Sequence, residues 1–297
     1  MRVFVTGASG FVGSAVVEEL KKAGHQVLGL ARSDASAATL ALNGVEVLRG
    51  DLEDLDSLRA GASASDGVIH CGFNHDFSRF AENCVMDRHA IDAMAGVLAG
   101  SDRPLIVTSG TGLFPAGLTI DEDMAAPDSS AIPRRSEQAA MAAYAAGVNA
   151  SIVRLPPSVH GAGEHGFVPI LIRLAREKGH AAYVGEGANH WPATHRFDAA
   201  QVYRLVFELG RKAAGRRFHA VDEGGIAFRD IATAIGRGLG LPAVSLTPEE
   251  AKAYFDWFSH FAAIDNRASS AITRETLGWL PSHQGLLQDL SEEHYFS

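Results

Sequence analysis

Near the start of the chain, Thr6 to Gly13 (TGASGFVG) places glycines at positions 7, 10 and 13, after a β-branched run and before a helical one. That spacing can hold a pyrophosphate. Gly7 permits a tight turn, Gly10 lets the backbone approach the anion, and Gly13 lets the following helix pack close on the strand. The helix N-terminus adds free N–H groups and the positive end of a dipole, which Ser9, Phe11 and Val12 would present to the ligand. A glycine pattern alone is also what a packed turn looks like. The strand–turn–helix context makes this one a dinucleotide site.

Two further features narrow the ligand. In GLARSD the second strand-like run ends at Ala31, where an acidic residue would accept the ribose hydroxyls of NAD, and Arg32 follows instead. A guanidinium suits a 2′-phosphate, so NADP is the predicted cofactor. NAD is the alternative if Arg32 is only a solvated arginine. Asp51 in RGDLED, followed by Leu52, could accept the adenine amino group or serve as a plain helix cap.

The elements that must position these groups alternate. RVFVTG, HQVLGLAR, VEVLRGD, GVIHCGF and RPLIVTSG read as strands, and FVGSAVVEELKKAG, LEDLDSLRAGAS and FSRFAENCVMDRHAIDAMAGVLAG as helices. Asp54 or Asp51 is a suitable N-cap for the second of these helices. Such alternation implies parallel strands joined by right-handed crossovers, an α/β Rossmann-type doubly wound sheet. Residues 112–133 read as a loop, RSEQAAMAAYAAGV as a helix and ASIVRLPPSVHG as another strand. The predicted division is a dinucleotide-binding domain over 1–162 and a smaller C-terminal substrate lobe over 163–297. A strand near 216–222 is a candidate to rejoin the main sheet.

With TGASGFVG, Arg32, GDL at 50–52, VIHCG at 68–72, VTSG at 107–110, VRLPPSVHG at 153–161 and LGW with Pro281, the chain resembles an extended short-chain dehydrogenase/reductase of the NAD(P)-dependent epimerase/dehydratase type. The resemblance implies that Cys71, Gly72, Phe73, Pro156 and Val159 border the cofactor. It also implies a serine at the end of the fifth strand, a tyrosine some two dozen residues later that donates a proton, and a lysine four residues beyond. Ser109 fits the serine. The tyrosine position falls on Pro133 and the lysine position on Glu137.

Slippage cannot restore the pair. No lysine lies between Lys22 and Lys178, no tyrosine precedes Tyr144, and no tyrosine has a lysine four residues later. Tyr144 lies about 10 Å further along the helix than Glu137, too far to substitute. Glu137 could accept from the ribose hydroxyls or be a first-turn carboxylate with Ser136 as a cap. Ser109 alone is a poor acid. Arg134 and Arg135 could lie at the pocket mouth. His75, Thr111, Trp191 and His195 are the candidate substrate contacts, each with a plain structural alternative, and Asp198 reads most simply as a helix N-cap.

Composition excludes other classes. The net charge of −9 argues against nucleic acid as a partner. No apolar run reaches the length of a membrane span, and no signal-type segment precedes the first strand, so the expectation is a cytoplasmic protein without a membrane partner. Cys71 and Cys84 have no metal-ligand spacing and read as free thiols, one disulfide being the alternative; no metal is expected. The prediction is an atypical NADP(H)-dependent oxidoreductase acting on a small carbonyl, alcohol or activated alkene. It would take a small-molecule substrate, and a homodimer is compatible with the resemblance. The alternatives are a non-catalytic dinucleotide sensor and an isomerase or dehydratase.

Overall fold

The computed structural model describes residues 1–128 and 132–297; Ser129, Ser130 and Ala131, within the predicted loop, lie outside the described residues. In chain order the elements are β1 (Arg2–Thr6), α1 (Phe11–Lys22), β2 (Gln26–Ala31), α2 (Asp34–Leu42), β3 (Glu46–Arg49), α3 (Leu55–Ser63), β4 (Gly67–His70), α4 (Phe80–Leu98) and β5 (Pro104–Gly110). There follow β6 (Thr119–Ile120), α5 (Ser136–Ala145), β7 (Asn149–Leu155), β8 (Ser158–His160), α6 (Phe167–Lys178), β9 (Ala181–Val184), β10 (His190–His195), α7 (Arg196–Leu209) and β11 (Arg217–His219). The chain closes with β12 (Glu223–Ala227), α8 (Phe228–Leu239), β13 (Ala243–Leu246), α9 (Pro248–Phe255), α10 (Ser259–Ala262), β14 (Arg267–Ala268), α11 (Ala271–Leu277) and α12 (Leu286–Asp289).

Seven strands form a sheet in the order β11-β7-β5-β4-β1-β2-β3, and the paired strands run parallel. Strand alternation divides its side chains between two layers. Val3 and Val5 join α1 and α7 in one core cluster. Phe4, Val68, Leu105 and Val107 join α3, α4 and α5 on the other face.

A third core builds the smaller lobe from α6, α8, α9 and β9 around Trp191 and Phe258. The two bodies are not divided by one cut in the sequence. Helix α7 packs in the cluster of α1, and β11 pairs with β7, both after residue 162. The C-terminal LGW also returns: Trp279 is buried in that cluster, and its Nε1 donates to Asp198 O at 3.1 Å.

Some local expectations hold and others are corrected. Asp54 caps α3 by accepting from Asp56 N and Ser57 N. Helix α2, absent from the sequence reading, begins at a capping box in which Ser33 and Ser36 satisfy each other's backbone N–H. Within the loop 112–133, β6 pairs with β14. Asp198 is not the cap of α7. His195 takes that place, and the Asp198 carboxylate accepts the backbone N–H groups of Ser282 and His283, each at 3.0 Å. Both cysteines are free. Among the described residues no helix is long and apolar enough to cross a membrane.

Candidate functional site

The glycine turn has the geometry its spacing predicts. Gly7 adopts φ +66°, and a Cβ there would lie 2.8 Å from Gly72 N. A Cβ on Gly13 would stand 2.0 Å from Gly7 O, so α1 touches the turn backbone to backbone. Gly10 N donates to Gly7 O at 2.9 Å, and Gly10 then caps α1 with no side chain over the first-turn N–H groups. Ser9 is exposed, and Phe11 and Val12 open the helix half-buried. A nicotinamide dinucleotide fits this uncapped cradle: its pyrophosphate would take those N–H groups. Leu52, whose side chain sits 3.1 Å from the place of a Gly72 Cβ, and the Cys71–Gly72 backbone wall the same turn.

Arg32 leaves the C-terminal end of β2 with its side chain 78% exposed, and Asp51 is 3.8 Å away. Asp51 also accepts from Glu53 N at 3.0 Å. Pro156 is buried just past β7, and Val159 lies in β8 beside Thr194.

Behind the turn runs a buried polar chain that the sequence reading did not find. Gly72 N donates to Thr6 Oγ1 at 3.1 Å, and Thr6 Oγ1 lies 2.7 Å from His70 Nδ1. His70 Nε2 meets Asp87 Oδ1 at 3.1 Å. A carboxylate only accepts, so Nε2 carries the hydrogen and Nδ1 takes the Thr6 hydroxyl. From the other side Ser136 Oγ donates to Asp87 Oδ2 and accepts from Arg134 Nε at 2.9 Å. Burial would raise the Asp87 pKa, but His70, Arg134 and Ser136 hold it below the usual carboxylate range. The signal for this chain was a histidine closing the otherwise apolar GVIH strand, because a buried polar ring demands a partner. Ser136 is thus not a cap: it is the first residue of α5, and its hydroxyl points to Asp87.

Glu137 is also corrected. It is 2% exposed, and Arg154 occupies both of its oxygens, Nε to Oε2 at 3.0 Å and Nη2 to Oε1 at 2.7 Å. Arg217 Nε adds a third bond at 2.6 Å and Ala126 N a fourth at 3.1 Å. Burial would raise the Glu137 pKa; Arg154, the Ala126 N–H and Arg217 hold it low instead. Both oxygens are thus engaged by donors of the protein itself.

Ser109 is 2% exposed and its Oγ has no hydrogen-bond partner among the described residues. It lies two residues past Val107, on the face of β5 turned to α4 and α5. Arg134 lies at the same strand end. Its Nη2 donates to Thr108 O at 3.2 Å, and its guanidinium stands 4.3 Å over the Phe73 ring. His75 sets its ring edge-on to Phe73 at 5.3 Å, and desolvation followed by the Arg134 charge lowers its pKa.

The remaining substrate candidates are structural. Thr111 Oγ1 donates to Asn266 Oδ1 at 2.7 Å, tying the β5 loop to the smaller lobe. Trp191 is fully buried against Phe228 and Phe258. His195 accepts from Phe197 N as the α7 cap and stacks on His283 at 4.5 Å; burial, then His160 and His283, lower its pKa to about 4. His195, Asp198 and His283 bring ligand atoms within 4.8 Å of one another, but Asp198 is already taken by backbone N–H groups.

Residues 3–220 match the model of the NAD dependent epimerase/dehydratase family. The chain belongs to that family. Its members include relatives of the same length: this chain is 46% identical over 297 residues, all of both chains, to an uncharacterized protein of Schizosaccharomyces pombe, C2A9.02. It is 29% identical over 261 residues to a 2-alkyl-3-oxoalkanoate reductase of Stenotrophomonas maltophilia, covering 82% of this chain and 77% of that one. Among solved structures the fold matches DesIV, a dTDP-glucose 4,6-dehydratase of Streptomyces venezuelae crystallised with NAD, with a TM-score of 0.77 and 17% identity over 98% of this chain and 95% of that one. Glu137, at the place where the resemblance puts a lysine, is salt-bridged to Arg154.

Proposed function

We propose that this chain is an NADP(H)-dependent oxidoreductase that interconverts a small carbonyl compound and its alcohol, or reduces an activated alkene. The observation that carries the reading is the pairing of an uncapped, side-chain-free glycine cradle with Arg32 at the end of β2. An exposed guanidinium at that place, with Asp51 no nearer than 3.8 Å, suits a 2′-phosphate in a bidentate contact. The reductase name of the Stenotrophomonas relative agrees with the reaction class.

Bound there, the cofactor would supply or accept a hydride. The chain's own part is to bind it through the cradle and Arg32 and to offer hydrogen bonds to the substrate oxygen. We assign part of that role to Ser109, whose buried hydroxyl has no hydrogen-bond partner among the described residues. The net charge of −9 suits a small molecule better than a nucleic acid as the other partner.

Incubation of the protein with NADPH and a panel of aldehydes, ketones and enones tests the reading. Loss of the reduced-cofactor absorbance with at least one class supports it. Tight NADPH binding without turnover on any class would favour a dinucleotide sensor, a reading consistent with the missing tyrosine and lysine. Substrate interconversion without net cofactor consumption would make the protein an isomerase or dehydratase.

A further inference from the structure

We propose that Arg134 is the oxygen-binding residue of this site, and that it takes an apolar, flat ligand, best an aromatic one, through a carbonyl or carboxylate oxygen. This rests on the oxidoreductase reading only for what the ligand is to the protein, a substrate.

The guanidinium carries five N–H donors, and among the described residues two of them are used: Nε on Ser136 Oγ and Nη2 on Thr108 O. Among the described residues no carboxylate pairs with it directly. Its nearest compensation is Asp87, one hydroxyl away through Ser136, and Asp87 also serves His70. Those two anchors and the Phe73 ring under the plane fix the fork in one orientation. The remaining donors are thereby aimed, at no further ordering cost, for an acceptor oxygen.

A second, independent observation marks the same strand end. Ser109 follows Thr108, and its buried Oγ has no partner among the described residues. A hydroxyl in that state forgoes a hydrogen bond that a ligand oxygen could restore. The two groups lie at the C-terminal edge of β5, and β4 alone separates β5 from β1, the strand that leads into the glycine turn. Ligands of open α/β sheets lie at that edge.

The ligand's body is read from the rings around Phe73. Phe80 lies 6.1 Å from Phe73 and 5.8 Å from Phe77, and Phe77 stacks on Trp257 at 5.5 Å. Trp257 belongs to the smaller lobe and is 48% exposed. An aromatic wall thus runs from the arginine toward the other lobe, and it offers dispersion and edge-to-face contacts to a flat apolar group. Oxygen at one end and rings along one side define the ligand class.

The test is binding, which needs no turnover. Calorimetry on the full chain, with and without NADP⁺, is run with benzoate, acetophenone and acetate against wild type, Arg134→Gln and Arg134→Lys. The probes separate carboxylate from carbonyl and ring from no ring. Benzoate or acetophenone should bind wild type, acetate weakly. Arg134→Gln should weaken the bound aromatic probe by about tenfold or more, with Arg134→Lys intermediate because it keeps a charge but loses the fork. NADP⁺ affinity should stay the same in both variants. Equal binding of the probes to wild type and a folded Arg134→Gln or Arg134→Lys would overturn the proposal, as would wild type that binds neither aromatic probe. Arg134-dependent benzoate binding in a protein that fails to bind NADP⁺ would uphold the oxygen site and defeat the cofactor reading alone.

Discussion

Arg154 and Glu137 close on each other as a two-bonded fork inside the protein, one side chain wholly buried and the other 2% exposed. The pair joins β7 to the first turn of α5, the stretch in which the family resemblance places a lysine. Arg154 also donates to the carbonyl oxygens of Asp121 and Met124, so the fork anchors the loop that precedes α5.

Removing one partner of such a pair leaves an uncompensated buried charge. Glu137→Gln should therefore lose about 3–5 kcal/mol of unfolding free energy, measured by urea titration. Its NADPH affinity, where the variant is folded, should match wild type. Weakened cofactor binding with unchanged stability would return Glu137 to the ribose.

The same arginine sets a pH dependence. Arg154 Nη1 donates to His219 Nε2 at 3.0 Å, and His219 Nδ1 donates to Ser269 O at 2.6 Å. Burial and then the Arg154 charge lower the His219 pKa from 6.5 to about 4. The folded state thus disfavours the proton that the unfolded chain accepts. The stability contribution is full above pH 6.5 and is lost as the pH falls from there through about 4. Chemical unfolding across that range should show wild type losing more stability than His219→Gln, whose side chain does not titrate. Parallel profiles would contradict the assignment.

Gly13→Ala should disable the cradle. The new Cβ would meet Gly7 O at 2.0 Å and Ala8 Cα at 3.2 Å, contacts with backbone that no rotamer change relieves. The helix must shift away from the turn, so NADPH affinity should fall by about tenfold or more, read by fluorescence titration. Overpacking should also cost about 1–3 kcal/mol of stability. Wild-type affinity in this variant would show that the turn holds no pyrophosphate.

Much of this architecture was legible in the sequence because it is local. The glycine spacing dictates the turn, and alternating β-branched runs dictate the parallel sheet. What escaped was set by long-range partners. His70 and Arg154 sit inside apolar strands, a pattern that signals a buried polar partner, but Asp87 and Glu137 lie 17 residues from each in sequence and cannot be chosen from pattern alone. Asp198 has the sequence signal of a cap because helix starts favour aspartate, whereas its carboxylate serves a turn more than 80 residues away. Trp191 was ambiguous for a related reason: an aromatic residue reads alike in a pocket wall and in a core, and only packing against Phe228 and Phe258 decides it.

Cofactor selection by Arg32 is the central claim, and a paired titration tests it. NADPH and NADH are each titrated into wild type and Arg32→Ala, following cofactor fluorescence. The account predicts that wild type binds NADPH more tightly than NADH. Arg32→Ala should lose about tenfold or more in NADPH affinity with little change for NADH, since only the 2′-phosphate is deprived of its partner. NADH binding wild type as tightly as NADPH, or NADPH binding unchanged in Arg32→Ala, would contradict it.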